Sequence, residues 1–525
     1  MTAVQPIPVE DPFDLLVVGS GAAGSVMAAQ AARAGKRVLI LEAGPARELS
    51  DLVSSQIWAR RLKWSGAPVV EEGNLNIGHA FNSGWGSGGA AKHQYAVWPR
   101  LHENDFKTQT QYGKGIDWPF EYQDLQPYYD KIQAEVGLSG DAEAEKWRPP
   151  GENYPMPPTP VFTQGRVIEK GFQALDMSAA PIPLAINSVP YKGRKACFYD
   201  GWCDAGCPIG ALANPLVTYL AWAREAGAEL RNQALVTRVI HDASGRKVTG
   251  VEYYDAAGKQ HRVHGKAVVL AAFCVQNARL LLASASDKHP RGLANSNDLV
   301  GRFLMTHPAN SVYGLFADET LPYQGPTGGQ LINHDHYKEK LKGRAFGSYQ
   351  WLIANALKPN DLLGIANTRP DIYGPALQEF MRKAAAHMGA MVFVGEDLPL
   401  AENRVTLSDK RDQYGVPLAK ATHNITAATE ALCEAAVAEG LAIFKAAGAA
   451  EPWAGPRFGM HILGGTIMGS SPEKSVTDSY GRCHELDNLY VAGSGLFPTS
   501  GAVNPTFTIH ALTLRSADHI LKNIP

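Results

Sequence analysis

The apolar run Leu15-Leu16-Val17-Val18 leads straight into Gly19-Ser20-Gly21-Ala22-Ala23-Gly24, a G-x-G-x-x-G. A small-residue helix is predicted over residues 25–34, stopped by Gly35, and a second apolar run over 37–41 ends at Glu42. Strand, tight turn, helix and strand in this order leave few folds open. They predict the opening βαβ unit of a dinucleotide-binding fold, with its acid about twenty residues past the glycines. Gly19 lets the chain turn. Gly21 lets backbone N–H groups approach a pyrophosphate at the helix N-terminus, where the dipole favours anions. Gly24 lets helix and strand close on each other. Glu42 suits the two ribose hydroxyls of an adenosine and repels a 2′-phosphate. The fingerprint fits NAD and FAD equally.

A chain of 525 residues exceeds one simple core and points to two or three domains. Its formal net charge of −2 favours neither nucleic acid nor an anionic membrane surface. The opening MTAVQPIPVEDPFD shows no basic or apolar region of an export signal. Residues 431–450 are alanine-rich but interrupted by Glu434, Glu439 and Lys445, so they read as a soluble helix rather than a span. Six cysteines do not make a disulfide scaffold, yet three of them fall in Cys197-x5-Cys203-x3-Cys207. Cys274, Cys433 and Cys483 stand alone and read as core.

Further segments carry a resemblance. Glu42-Ala43-Gly44-Pro45 is followed by the loop Gly84-Trp85-Gly86-Ser87-Gly88-Gly89. Near the C-terminus come His461-Ile462-Leu463-Gly464-Gly465, Tyr490-Val491-Ala492-Gly493-Ser494 and Asn504-Pro505-Thr506. In this order they resemble the glucose–methanol–choline (GMC) oxidoreductases, which bind FAD. Gly115-Ile116-Asp117-Trp118-Pro119, Pro127-Tyr128-Tyr129 and residues 295–302 are similar to one bacterial branch. That branch holds the catalytic subunits of membrane-associated glucose, fructose and gluconate dehydrogenases and the glycoside 3-dehydrogenases. The resemblance implies an α/β chain, α+β overall. A Rossmann-like FAD-binding domain would comprise residues 1–94, 217–310 and 455–525. A substrate domain with an antiparallel sheet and helices would comprise 95–216 and 311–454.

By family position, Val236 would hold adenine through its backbone, and Gly493, Ser494 and Thr506 would contact the cofactor. His461 is expected as the base that takes an alcohol proton, with Asn504 fixing the oxygen while hydride leaves for flavin N5. Histidine suits that role because its pKa lies near neutrality. Pro505 favours a helix start, so a helix over 505–521 would aim its positive end at the flavin pyrimidine. His93, four residues after the pair Gly88-Gly89, resembles the histidine through which some relatives bind FAD covalently. The alternative is that it merely packs on the cofactor.

In the bacterial branch, cysteines at this spacing hold an iron–sulfur cluster of the 3Fe–4S type. Cys197, Cys203 and Cys207 match, with Pro208 trailing. Soft thiolates suit iron. The neighbours depart from the branch, since Phe198 and 199–202 replace a cysteine doublet and an asparagine-rich loop. Two readings without a cluster stay open, a helical pair Cys203/Cys207 of packed thiols or a disulfide among the three.

The function expected is oxidation of a sugar or glycoside hydroxyl, with electrons passed through the cluster to an external acceptor. Partners would be a small subunit and a cytochrome c. A sugar oxidase that makes hydrogen peroxide, and a non-catalytic FAD-binding subunit, are the competing readings. Location is expected to be cytoplasmic, or periplasmic after export with a signal-bearing partner. Residues 320–400 carry no substrate code, although Tyr349 and Trp351 could offer a sugar-stacking surface.

Overall fold

The computed structural model describes residues 12–524, and the stretch 1–11 read for an export signal lies outside the described residues. Phe13–Val18, Ala22–Arg33 and Val38–Leu41 form strand, helix and strand. The two strands pair parallel, with Val17 opposite Ile40. They are buried at nearly every position, as a parallel strand covered on both faces must be. Gly24 is dictated by sterics, because a Cβ there would lie 1.9 Å from the carbonyl oxygen of Gly19.

The strand Gln260–Leu270 joins distant parts of the chain. Its C-terminal half runs parallel to Phe13–Val18 on one side and to Leu489–Val491 on the other. Its N-terminal half pairs antiparallel with Val248–Tyr254, which pairs with Leu235–His241. A second sheet is antiparallel throughout. Its centre is Met305–Leu315, Met388–Gly395, Tyr349–Ile353 and Leu331–Asn333 in that order. Phe458–Leu463 pairs with Met305–Leu315 as well. This is the α/β architecture expected, a Rossmann-like sheet with a parallel core beside an antiparallel one.

The alanine-rich stretch forms the helix Ala427–Ala446, whose N-cap Thr426 accepts a hydrogen bond from the N–H of Thr429 at 3.1 Å. Gly440 on this helix admits the ring of Trp351, with a Cβ position 2.6 Å from its edge. Among the described residues no helix is long and apolar enough to cross a membrane.

One side-chain expectation fails. Tyr349 and Trp351 are 4% and 0% exposed. Their OH and Nε1 donate to Glu439 Oε2 at 3.1 and 2.8 Å. They fill a core and present no stacking surface.

A buried ion cluster clamps residues 102–108 to the second sheet. Lys340 Nζ lies 2.7 Å from Asp105 Oδ1 and 2.7 Å from Glu396 Oε2, with all three side chains at most 2% exposed. The OH of Tyr337 also donates to Asp105, and the N–H of Ser348 to Glu396. Replacing the cation leaves two buried carboxylates uncompensated. Lys340→Met is expected to lose about 3–5 kcal/mol of stability, read as a lower urea midpoint. An unchanged midpoint would contradict the clamp.

Candidate active site

A cavity of about 1100 Å³ is walled by both large sheets. Gly19, Gly21, Ala22 and Ala23 line one end together with Glu42, Ala43 and Val236. Gly89, His93, Gly493 and Ser494 lie along it, and His461, Asn504, Pro505 and Thr506 line another part of its wall. Gly24 and Gly88 are not in the wall. Gly24 packs the helix onto its strand, and the Gly88 N–H donates to Ser20 Oγ at 3.1 Å.

Two helices begin at this cavity, Ala22–Arg33 and Thr506–Asn523. Neither has a side-chain cap or an acid in its first turn. Their first N–H groups are therefore left for a ligand. A Cβ at Gly21 would meet nothing nearer than Gly89 Cα at 3.8 Å, so the approach to that helix start is open. The volume exceeds the roughly 300–1,000 Å³ of ordinary ligand pockets. A dinucleotide with a substrate beside it fits these features.

Glu42 has a second job. Its carboxylate accepts from the Ser20 N–H and Oγ (3.1 and 2.6 Å) and from the N–H groups of Gly44 and Gly86 (2.9 and 3.0 Å). It staples three loops around the expected adenosine end. Lys92 lies beneath, donating to the carbonyls of Trp85, Gly86 and Gly89. Burial pulls its pKa down to about 8 against the opposing pull of Glu42. His93 is 3% exposed, with Nε2 facing Gly84, where a Cβ would lie 2.6 Å away. Burial, then the charges of Lys92 and Lys63, hold its pKa near about 3.

His461 owes its direction to a register shift. In the pairing of Phe458–Leu463 with Met305–Leu315, Met460 faces His307 and Leu463 faces Met305, so one strand holds an extra residue. His461 sits in that irregularity with φ 57°, the left-handed region that a side chain rarely adopts. Such a bulge re-aims a side chain, and strain of this kind concentrates at functional sites. His461 Nε2 is 3.2 Å from Asn504 Nδ2, and its Nδ1 is 2.9 Å from His307 Nδ1. Asn504 Oδ1 accepts from Gln350 Nε2 at 2.9 Å. Sequence reasoning missed His307 and Gln350. No local spacing marks them, because strand register alone brings them in.

The three cysteines are free thiols around one small cavity of about 10 Å³, room for about one water. The helical-pair reading fails. Cys203–Ala205 is a single turn ended by Gly206 at φ 96°, and Cys207 follows at φ 58°. The disulfide reading fails too. Nor does the expected metal centre stand as a ligand set. Among the described residues no three His, Cys, Asp or Glu side chains are arranged to hold a metal ion. Burial pushes Cys197 and Cys203 up to about 12, so both are protonated thiols. The Tyr199 N–H lies 3.2 Å from Cys197 Sγ and the Leu212 N–H 3.4 Å from Cys207 Sγ.

Family models described as GMC oxidoreductase match residues 13–309 and 399–513. The chain belongs to the GMC oxidoreductase family. It is 31% identical to the fructose dehydrogenase large subunit of Gluconobacter japonicus, over 97% of this chain and 98% of that one. It is 32% identical to the 2-methyl-1,2-propanediol dehydrogenase of Mycolicibacterium austroafricanum, over 97% and 95%. The formate oxidase of Aspergillus oryzae has the same fold, with a TM-score of 0.71 at 16% identity over 99% of this chain and 100% of that one. As a GMC oxidoreductase, the chain is an FAD-dependent enzyme acting on CH–OH groups, and the large cavity fits FAD.

The electrostatics of His461 give a pH expectation. Burial, then the neighbouring His307, holds its pKa well below the ordinary 6.5. The neutral imidazole is present above the lowered pKa and is lost as pH falls through it. Flavin reduction by substrate is expected to stay level from neutral pH down to 6.5 and to fail only below that. An acid limb centred above 6.5 would contradict this.

Proposed function

We propose that this enzyme oxidises a hydroxyl of a sugar or glycoside to a carbonyl and passes the electrons to an external acceptor. The observation that carries the reading is the pair His461 and Asn504, 3.2 Å apart in the wall of a cavity that also holds the dinucleotide-binding glycines. FAD, when bound, supplies the acceptor for the hydride. His461 Nε2 takes the hydroxyl proton. Asn504 holds the oxygen, and its amide is itself held by Gln350. The uncapped start of Thr506–Asn523 favours negative charge at the cavity. The choice of sugar rests on the likeness to fructose dehydrogenase and, at 25% identity, to the gluconate 2-dehydrogenase flavoprotein of Pantoea cypripedii.

For the way out, Cys197, Cys203 and Cys207 are the residues that would hold an iron–sulfur cluster, a one-electron outlet that suits a cytochrome partner. Their shared cavity and the two N–H groups directed at sulfur support this, since hydrogen bonds to the sulfurs tune such clusters. Asp204, next to Cys203, lines the FAD cavity, so the two sites adjoin. The thiols would have to deprotonate and draw together. His93 is the wall residue through which FAD could be attached covalently.

His461→Gln is expected to keep FAD and lose about 10²–10⁴-fold in the rate of flavin reduction by sugar. A variant that reduces at the parent rate would remove His461 as the base. Anaerobically purified protein is expected to carry about three irons per flavin with acid-labile sulfide. Iron-free protein that sugars still reduce would make the cysteines structural. Rapid peroxide formation in air by such protein would make it an oxidase. Yellow colour that stays with acid-precipitated protein would establish the tether, and colour released to the supernatant would exclude it.

A further inference from the structure

Two buried hydrogen-bond chains meet at the reactive pair, and a backbone carbonyl fixes the direction of both. His307 Nε2 lies 3.2 Å from the carbonyl oxygen of Ser500. A carbonyl only accepts, so this nitrogen carries the proton. In a neutral imidazole the other nitrogen, Nδ1, is then a lone pair. It faces His461 Nδ1 at 2.9 Å, which must donate. The remaining nitrogen of His461, Nε2, is left as a lone pair, and it is the one facing Asn504.

The second chain agrees. Asn504 Nδ2 donates to that lone pair, so its Oδ1 accepts from Gln350 Nε2 at 2.9 Å. Gln350 Oε1 then accepts from His334 Nε2 at 2.9 Å, and His334 Nδ1 accepts from His102 Nε2 at 3.0 Å. The chain ends at His102 Nδ1, a buried atom with no hydrogen-bond partner among the described residues. In this direction the terminal atom is an unpaired acceptor. In the reverse direction it would be an orphaned buried N–H, which is rarer in folded proteins. His307, His334 and His102 are buried and His461 is half-buried at the cavity wall, and all four are held neutral. His307 and His334 are pulled down to about 4, and His102 and His461 well below the usual value, chiefly by desolvation. The nearby Asp397 does not compete, because its Oδ2 is bonded to His423 at 2.7 Å.

We propose that His307 is a positioning residue that holds His461 as the Nδ1–H tautomer, leaving Nε2 an unprotonated acceptor, and that Gln350 and His334 lock the Asn504 amide with its N–H₂ toward the same spot. The inference rests on the reading of His461 and Asn504 as the reactive pair. The site is thus preset for proton removal before substrate arrives. A histidine in the other tautomer would present N–H to the substrate hydroxyl and could not act as its base.

The test is nitrogen NMR on FAD-bound protein labelled with [¹⁵N]histidine, the His461 signals being those that vanish in His461→Gln. The expected result is a protonated Nδ1 and an unprotonated Nε2 at His461. Protonation at Nε2 would overturn the inference, and this measurement needs no variant at His307 to fold. His307→Leu is expected to lose the single-tautomer signature and to slow flavin reduction by about 10²–10⁴-fold with little change in KM. His307→Gln offers an amide oxygen to His461 and an amide N–H to Ser500, and is expected to restore the signature and most of the rate. Equal loss in both variants would mean that His307 only fills space. If His461→Gln itself reduces flavin normally, the active-site reading fails whatever the tautomer.

Discussion

One extra residue in the strand Phe458–Leu463, set against Met305–Leu315, places His461, the histidine proposed as base. Without it, His461 would alternate with its neighbours and take its place in a regular ladder. With it, the backbone enters the left-handed region and the ring closes on His307 and Asn504. The irregular pair lies where the antiparallel sheet reaches the FAD cavity. The helix Thr506–Asn523 delivers Asn504 from the other side. The strain is held in place by packing, since His307 and Leu463 are 0% exposed and Ile462 2%.

The dinucleotide end rests on a different constraint. Glu42 was expected to serve a ribose, and its carboxylate also gathers the backbone of Ser20, Gly44 and Gly86. A buried carboxylate that accepts four hydrogen bonds is well satisfied. The glycine loops around it are close-fitted, as Gly44 shows, where a Cβ would sit 2.1 Å from the amide nitrogen of Gly86. The acid at the end of the second strand thus builds the site as well as marking it.

What was legible in the sequence was whatever local sterics or a known segment order could declare. The glycine turn, the strands on either side and the helix after Pro505 all carry their own signals. His307 carries none, because its partner is 154 residues away and only strand register joins them. Gln350 is equally remote from Asn504. Tyr349 and Trp351 misled for the same reason, since a strand buried at every position has no alternation to betray it. The cysteines lie between these cases. Their spacing was plain and they do share a cavity, but spacing does not say how far thiols stand from a common centre.

The central claim is that a hydride leaves the carbinol carbon for FAD while His461 takes the hydroxyl proton. Anaerobic stopped-flow reduction of the flavin by a sugar carrying deuterium at the oxidised carbon tests this most directly. The account predicts bleaching by the unlabelled sugar and several-fold slower bleaching by the labelled one. Bleaching at the same rate with both would contradict it, as would a flavin that no sugar or alcohol reduces.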